Sequence, residues 1–111
     1  MPGRRRKVRW SQMAGRDLEE IVGHISHERP LAALDILAEI NRRAGSLDTV
    51  ADRGRVVPEM DCHGIRNYRE LIFAPWRIIY KTTREEVRIM AVLDSRRNVE
   101  DLLLKRLTRI S

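Results

Sequence analysis

The chain has one cysteine, Cys62, so no disulfide can form within it. A lone thiol fits a reducing compartment. No apolar run approaches the roughly 18 residues that a membrane-spanning helix requires. The N-terminus is basic, but no apolar signal core follows it. The expectation is a cytoplasmic protein with no membrane partner. The sequence also has no glycine-rich phosphate loop and no Ser/His/Asp spacing that suggests nucleophilic catalysis. Internal repeats are absent, and low complexity is confined to the short basic start, Arg4-Arg5-Arg6-Lys7. No cofactor is expected.

What is present bounds the answer further. A chain of 111 residues fits one domain, 1–111, with one modest core. Its composition, 42% apolar and 34% charged, is that of a folded rather than a disordered protein. The net charge is +6, which nucleic acid, a membrane surface or an acidic protein could each use. Residues 1–6 read as a disordered basic tail, which either keeps the chain soluble or touches nucleic acid.

Periodicity places the elements. Lys7–Trp10 alternates polar and apolar residues, as a short strand does. Ser11 suits the N-cap of a helix over about 12–28, with Ala14, Leu18, Ile21, Val22 and Ile25 on one face. Pro30 opens a second helix, where its missing N–H is no loss. The stripe of that helix is Ala33, Ile36, Leu37, Ile40, Ala44 and Leu47. Residues 48–67 read as a long loop punctuated by Gly54 and Pro58. Two strands follow, joined by a tight turn at Ala74-Pro75, and then a third over Glu86–Leu93. In that third strand Val87, Ile89, Ala91 and Leu93 alternate with Arg88, Met90, Val92 and Asp94. A last helix runs from about Val99 to Arg109, capped by Asn98, with Val99, Leu102, Leu103, Leu107 and Ile110 apolar. The order β-α-α-β-β-β-α predicts an α+β domain with a helical hairpin packed on a small antiparallel sheet.

The candidate functional residues are arginines. Arg69, Arg77, Arg96 and Arg97 fall within the sheet or at its edge, and cations fixed on a rigid sheet suit an anionic partner. Arg77 could instead pair with Glu70 or Asp94 across the sheet. Glu70 points away from Arg69, and reads equally as an exposed ion pair or as a reactive carboxylate. Tyr80 alternates with Trp76 and Ile78, a core pattern. His24 and His27, with Glu20 one turn before His24, read as solvated side chains rather than metal ligands. Asp61-Cys62-His63 has too few donors for a structural zinc site, and no metal is expected.

Several short motifs occur in a definite order: Val8-Arg9-Trp10 before Asp17-Leu18-Glu19-Glu20-Ile21, then Gly54-Arg55 and Pro58-Glu59. Tyr68-Arg69-Glu70-Leu71, Trp76-Arg77-Ile78-Ile79-Tyr80 and Val92-Leu93-Asp94-Ser95-Arg96-Arg97 follow. In this order and spacing the chain resembles the RelE/ParE superfamily of toxins from bacterial type II toxin–antitoxin modules. The resemblance implies a toxin held inactive in a hetero-oligomer with a cognate antitoxin. RelE-like members cleave messenger RNA in the ribosomal A site; ParE-like members poison DNA gyrase. Arg-Glu-Leu-Ile in one strand and Arg-Arg after the last strand look closer to the ParE side. For a nuclease, the resemblance would make Arg77, with Arg96 or Arg97, the phosphate-binding arginines, and would put Arg69 at a lysine position. Leu71 stands where such nucleases have a second lysine. Their C-terminal His or Tyr has no counterpart, since no His or Tyr follows Tyr80; Glu70 or Tyr80 would have to substitute. The resemblance leaves three readings: a gyrase-binding toxin, a ribosome-dependent endoribonuclease with an altered catalytic set, and a non-toxic nucleic-acid-binding or interaction domain.

Overall fold

Alternating side chains over Lys7–Trp10 form strand β1, and Ser11 ends it by capping the helix that follows. The Ser11 Oγ accepts the Ala14 N–H at 3.1 Å, which satisfies one of the donors that a helix start leaves open. The computed structural model describes residues 5–108. Helix α1 spans Gln12–Ser26 and helix α2 spans Pro30–Gly45, with Pro30 in its first turn as expected. A single 3-10 turn, Ser46–Asp48, then buries Leu47.

The expected long loop carries structure of its own. Arg55–Val56 forms a two-residue strand, β2, and Pro58–Asp61 a one-turn helix, α3. Both are too short for periodicity to register. β2 exists because it pairs with Glu70 and Arg69 of the next strand. The remaining strands are β3 (Tyr68–Phe73), β4 (Trp76–Thr82) and β5 (Glu86–Asp94), followed by helix α4 (Val99–Thr108). The Asn98 side chain accepts the Asp101 N–H at 3.1 Å and caps α4 as expected. Residues 1–4 of the expected tail, and the expected helix positions Arg109 and Ile110, lie outside the described residues, as does the side chain of Leu107. Arg6 belongs to the fold: its N–H donates to the Asp48 carbonyl at 2.7 Å and its Nε to the Thr83 carbonyl at 2.8 Å. No helix among the described residues is long and apolar enough to cross a membrane.

The sheet order is β1-β5-β4-β3-β2. Its centre is antiparallel, but β1 runs parallel to β5, so the sheet is mixed where an antiparallel one was expected. The helical hairpin lies in the connection out of β1, and a crossover of that length permits parallel pairing.

The hairpin and the 3-10 turn after it cover one face, through Ala14, Leu18, Ile40, Ala44 and Leu47 against Ile78, Tyr80, Val87, Ile89 and Val92. Helices α3 and α4 cover the other, where Met60, Val99 and Leu103 pack on Ile79, Ala91 and Leu93. Alternation along β5 breaks midway, where Ala91, Val92 and Leu93 are all buried. Ile79 pairs with Ala91 and Tyr80 with Ile89, which leaves Met90 bulged. The extra residue shifts the phase. Val87 and Ile89 therefore face the hairpin, but so does Val92, while Ala91 and Leu93 face α4.

β1 covers the outer edge of β5 only as far as Ile89. Beyond it, Asp17 of α1 accepts the Val92 N–H at 3.0 Å. Arg106 of α4 grips the same carboxylate with two hydrogen bonds of 2.8 Å. This pair closes the open edge and ties together the helices on the two faces.

Candidate functional site

The four arginines do not converge on one patch. Residue parity along β3 turns Arg69 toward the hairpin face and Glu70 toward the α3/α4 face. Arg77, on β4, shares the face of Glu70. Arg96 and Arg97 follow β5, beyond the end of the sheet where Asp94 pairs with Trp76.

Arg77 is the most constrained of the four. Its side chain is 7% exposed, and all three of its guanidinium nitrogens donate to carboxylates. Nε donates to Glu70 at 2.6 Å, while Nη1 and Nη2 form a two-pronged pair with Glu59 at 2.7 and 2.6 Å. The Glu70 carboxylate is wholly buried, and its second oxygen accepts Arg55 Nε at 2.7 Å. The four charges thus join α3, β2, β3 and β4. The Glu59 hydrogen bonds, followed by those of Glu70, push the Arg77 pKa upward, so the group is permanently cationic. Reciprocally, the Arg77 hydrogen bonds hold the Glu59 carboxyl below its ordinary range. The cross-sheet pair with Glu70 that the sequence suggested is present. Asp94, the alternative partner, pairs with Arg96 instead.

Arg69 is half-buried and donates Nη1 to the Gly54 carbonyl at 2.7 Å. The Gly54 N–H donates to the Tyr80 hydroxyl at 2.9 Å. Gly54 is needed here: an added Cβ would fall 2.6 Å from the Tyr80 oxygen and closer still to the Glu70 carbonyl oxygen. Tyr80 lies in the core under the hairpin with 0% exposure, and burial raises its pKa. A buried phenol that already accepts a backbone N–H is no accessible proton donor. Glu70, also buried and doubly ion-paired, is no accessible base.

Arg96 and Arg97 are exposed. Arg96 folds back on Asp94 through hydrogen bonds of 3.0 and 2.6 Å. That contact holds the Asp94 carboxyl at about 2. Among the described residues the Arg97 guanidinium has no hydrogen-bonding partner. Both arginines border a cleft of about 350 Å³ between α1 and the β4–β5 end of the sheet. Ile21, Ile25, Trp76 and Val92 supply its apolar lining; Asp17, Glu20 and His24 add polar groups. Apolar side chains bordered by charges of both signs, Arg96 and Arg97 with Asp17, Glu20 and Asp94, suit a macromolecular contact.

Sequence reasoning missed Glu59 and Arg55 as partners of the Arg77 cluster, and the Asp17–Arg106 pair. Arg55, Glu59 and Asp17 fall in the motifs that carry the resemblance, but their partners were not legible, because the contacts span 18, 15 and 89 positions. Among the described residues, His24, His27 and Glu20 do not gather into a metal-ligating group.

Three comparisons bear on this geometry. The sequence profile of the family described as ParE toxin of type II toxin-antitoxin system, parDE, matches residues 8–99. Among curated proteins no sequence matches significantly. Among solved structures, the fold is similar to the chromosomal ParDE toxin–antitoxin system of P. aeruginosa. There the TM-score is 0.65 at 22% identity, covering 80% of this chain and 95% of that one. It is also similar to the toxin–antitoxin complex RelBE2 of Mycobacterium tuberculosis, with a TM-score of 0.58 at 20% identity, covering 82% of this chain and 92% of that one. At these identities the structural likeness establishes a shared fold.

Proposed function

Because the chain belongs to the ParE toxin family of type II toxin–antitoxin systems, we propose that it arrests growth by binding DNA gyrase, without hydrolytic chemistry, and that a cognate antitoxin neutralises it. One observation carries the choice of binding over cleavage. The Arg77 guanidinium, which a nuclease would aim at phosphate, has its Nε and both Nη atoms on Glu59 and Glu70. RNA cleavage also needs a placed acid and base. Tyr80 and Glu70 are buried, and no His or Tyr follows Tyr80.

The exposed cations Arg96 and Arg97, beside the cleft at Trp76, form the proposed target contact. The antitoxin is read as an acidic segment that folds on binding to this basic chain. Apolar side chains left in water, Leu31 at 77% exposure and Leu34 at 61%, offer it an anchor on α2. Both structural neighbours are toxin–antitoxin systems, which supports such a partner. Gyrase as target places the action in the cytoplasm.

Two assays on the purified chain test the reading. Supercoiling by gyrase should fall in a dose-dependent way and recover when the protein encoded beside this gene is added. Primer extension on translated messages should show no new ends. Robust ribosome-dependent cleavage, with gyrase unaffected, would overturn the proposal.

A further inference from the structure

Cys62 and His63 terminate α3, and Glu100 lies in the first turn of α4. The packing of these two helices on one face of the sheet brings their ends together. Cys62 Sγ, a ring nitrogen of His63 and a carboxylate oxygen of Glu100 all lie within 4.8 Å of one another. The His63 Nε2 is 2.7 Å from Glu100 Oε1, a contact across 37 positions of sequence. The sequence shows two adjacent donors; the fold supplies the third.

We propose that Cys62, His63 and Glu100 bind a divalent transition-metal ion of the zinc type, with water completing its coordination. The donor set argues for this class. Sulfur, imidazole nitrogen and carboxylate oxygen together suit zinc or cobalt, whereas magnesium and calcium take oxygen ligands. The neighbouring acids are otherwise engaged: Asp61 pairs with Arg66 at 2.9 Å, and the Glu59 carboxylate holds Arg77. Tetrahedral zinc with bonds of about 2.0–2.3 Å sets its ligand atoms roughly 3.3–3.7 Å apart. The widest of the present separations must close by up to about 1 Å, while the 2.7 Å His63–Glu100 contact opens as its hydrogen bond is exchanged for metal bonds, both within reach of side chains on the surface. On binding, the Cys62 thiol gives up its 3.2 Å hydrogen bond to the Glu59 carbonyl. It coordinates as the thiolate and releases its proton to solvent.

Such an ion would join the end of α3 to the start of α4. α3 carries Glu59, which holds Arg77; α4 carries Val99 and Leu103 of the second core. The bound metal reinforces that whole face of the sheet. The site is independent of the gyrase reading, and its test does not involve growth or gyrase.

The experiment is a Co²⁺ titration of the tag-free, full-length chain under reducing, anaerobic conditions. The expected result is one ion per chain, with a thiolate-to-cobalt charge-transfer band that Zn²⁺ removes. Cys62→Ser should abolish the band. His63→Ala and Glu100→Gln should each weaken binding by about tenfold or more. All three positions are at the surface, so the metal-free variants should unfold at nearly the wild-type temperature. Zn²⁺ should raise the unfolding temperature of the wild type, relative to EDTA, and not that of Cys62→Ser. Absence of the thiolate band would overturn the site. So would binding that survives both His63→Ala and Glu100→Gln, because the thiol alone would then be responsible. An unchanged unfolding temperature with Zn²⁺ would overturn the stapling role.

Discussion

Arg77→Met removes the charge at the centre of the Glu59–Arg77–Glu70 cluster while keeping most of the side-chain volume. Deleting one partner of a buried ion pair typically costs about 3–5 kcal/mol, because the other charge stays desolvated. Two features place this case at the low end. Glu59 is 31% exposed, so water takes over part of its solvation, and Glu70 keeps its 2.7 Å contact with Arg55. The expected loss is about 3 kcal/mol. Unfolding entropy of about 2.1 cal/mol/K per residue converts that, for 111 residues, to a Tm lowered by about 13 °C. Urea unfolding at neutral pH should show a lower midpoint with an unchanged slope. Adding Glu70→Leu to Arg77→Met removes the stranded carboxylate and should recover about 1.5 kcal/mol or more, a coupling proper to directly interacting groups. Growth inhibition should fall with Arg77→Met and return with the double variant. A loss of less than about 1 kcal/mol together with abolished growth inhibition would overturn the structural role of Arg77, for the guanidinium would then serve the target.

The same cluster sets an acid limb: the depressed pKa of Glu59 contributes stability that is complete well above its unfolded value of about 4.3 and is lost as pH falls below it, so Arg77→Met should flatten the fall in stability below about pH 4.3. Leu103, at 4% exposure under α4, should cost about 2–5 kcal/mol as Leu103→Ala in urea unfolding, and Leu103→Asp should prevent folding. Tyr80→Phe leaves the buried Gly54 N–H without its acceptor and should cost about 1–3 kcal/mol; an unchanged stability would mean that the hydroxyl is dispensable to the loop. Arg96→Ala combined with Arg97→Ala should leave stability within about 0.5 kcal/mol, since both side chains are exposed, while weakening gyrase inhibition; full inhibition by the double variant would remove them from the contact.

Much of the architecture was legible because it is locally encoded. Ser11 and Asn98 start their helices through hydrogen bonds three residues on, and Pro30 starts its helix by its own fixed φ, so each acts wherever the chain places it. The helix stripes and the pairing of β3 with β4 through Ala74-Pro75 follow from periods that an adjacent pair of elements satisfies by itself. The six motifs from Val8-Arg9-Trp10 to Val92-Leu93-Asp94-Ser95-Arg96-Arg97, taken together in their order and spacing, likewise identified the superfamily, within a span that the family profile matches at residues 8–99. The short elements β2 and α3 were not legible, because two and four residues are too few to carry a period.

Only the tertiary structure decided how the charged residues are used. Arg77, among apolar residues of β4, and Arg97, in the polar turn after β5, both read from the sequence as candidate target cations. One is buried on two glutamates while the other stands in water, because Glu59 reaches Arg77 only once α3 has docked. Asp17 meets Arg106 across 89 positions where β1 stops short of the edge of β5, and Glu100 meets His63 across 37 because α3 and α4 share a core. The bulge at Met90 turns Val92 to the hairpin against its own alternation. In each case the deciding quantity is the distance between segments remote in sequence. Register and packing set that distance, and neither is a property of the residues taken in order.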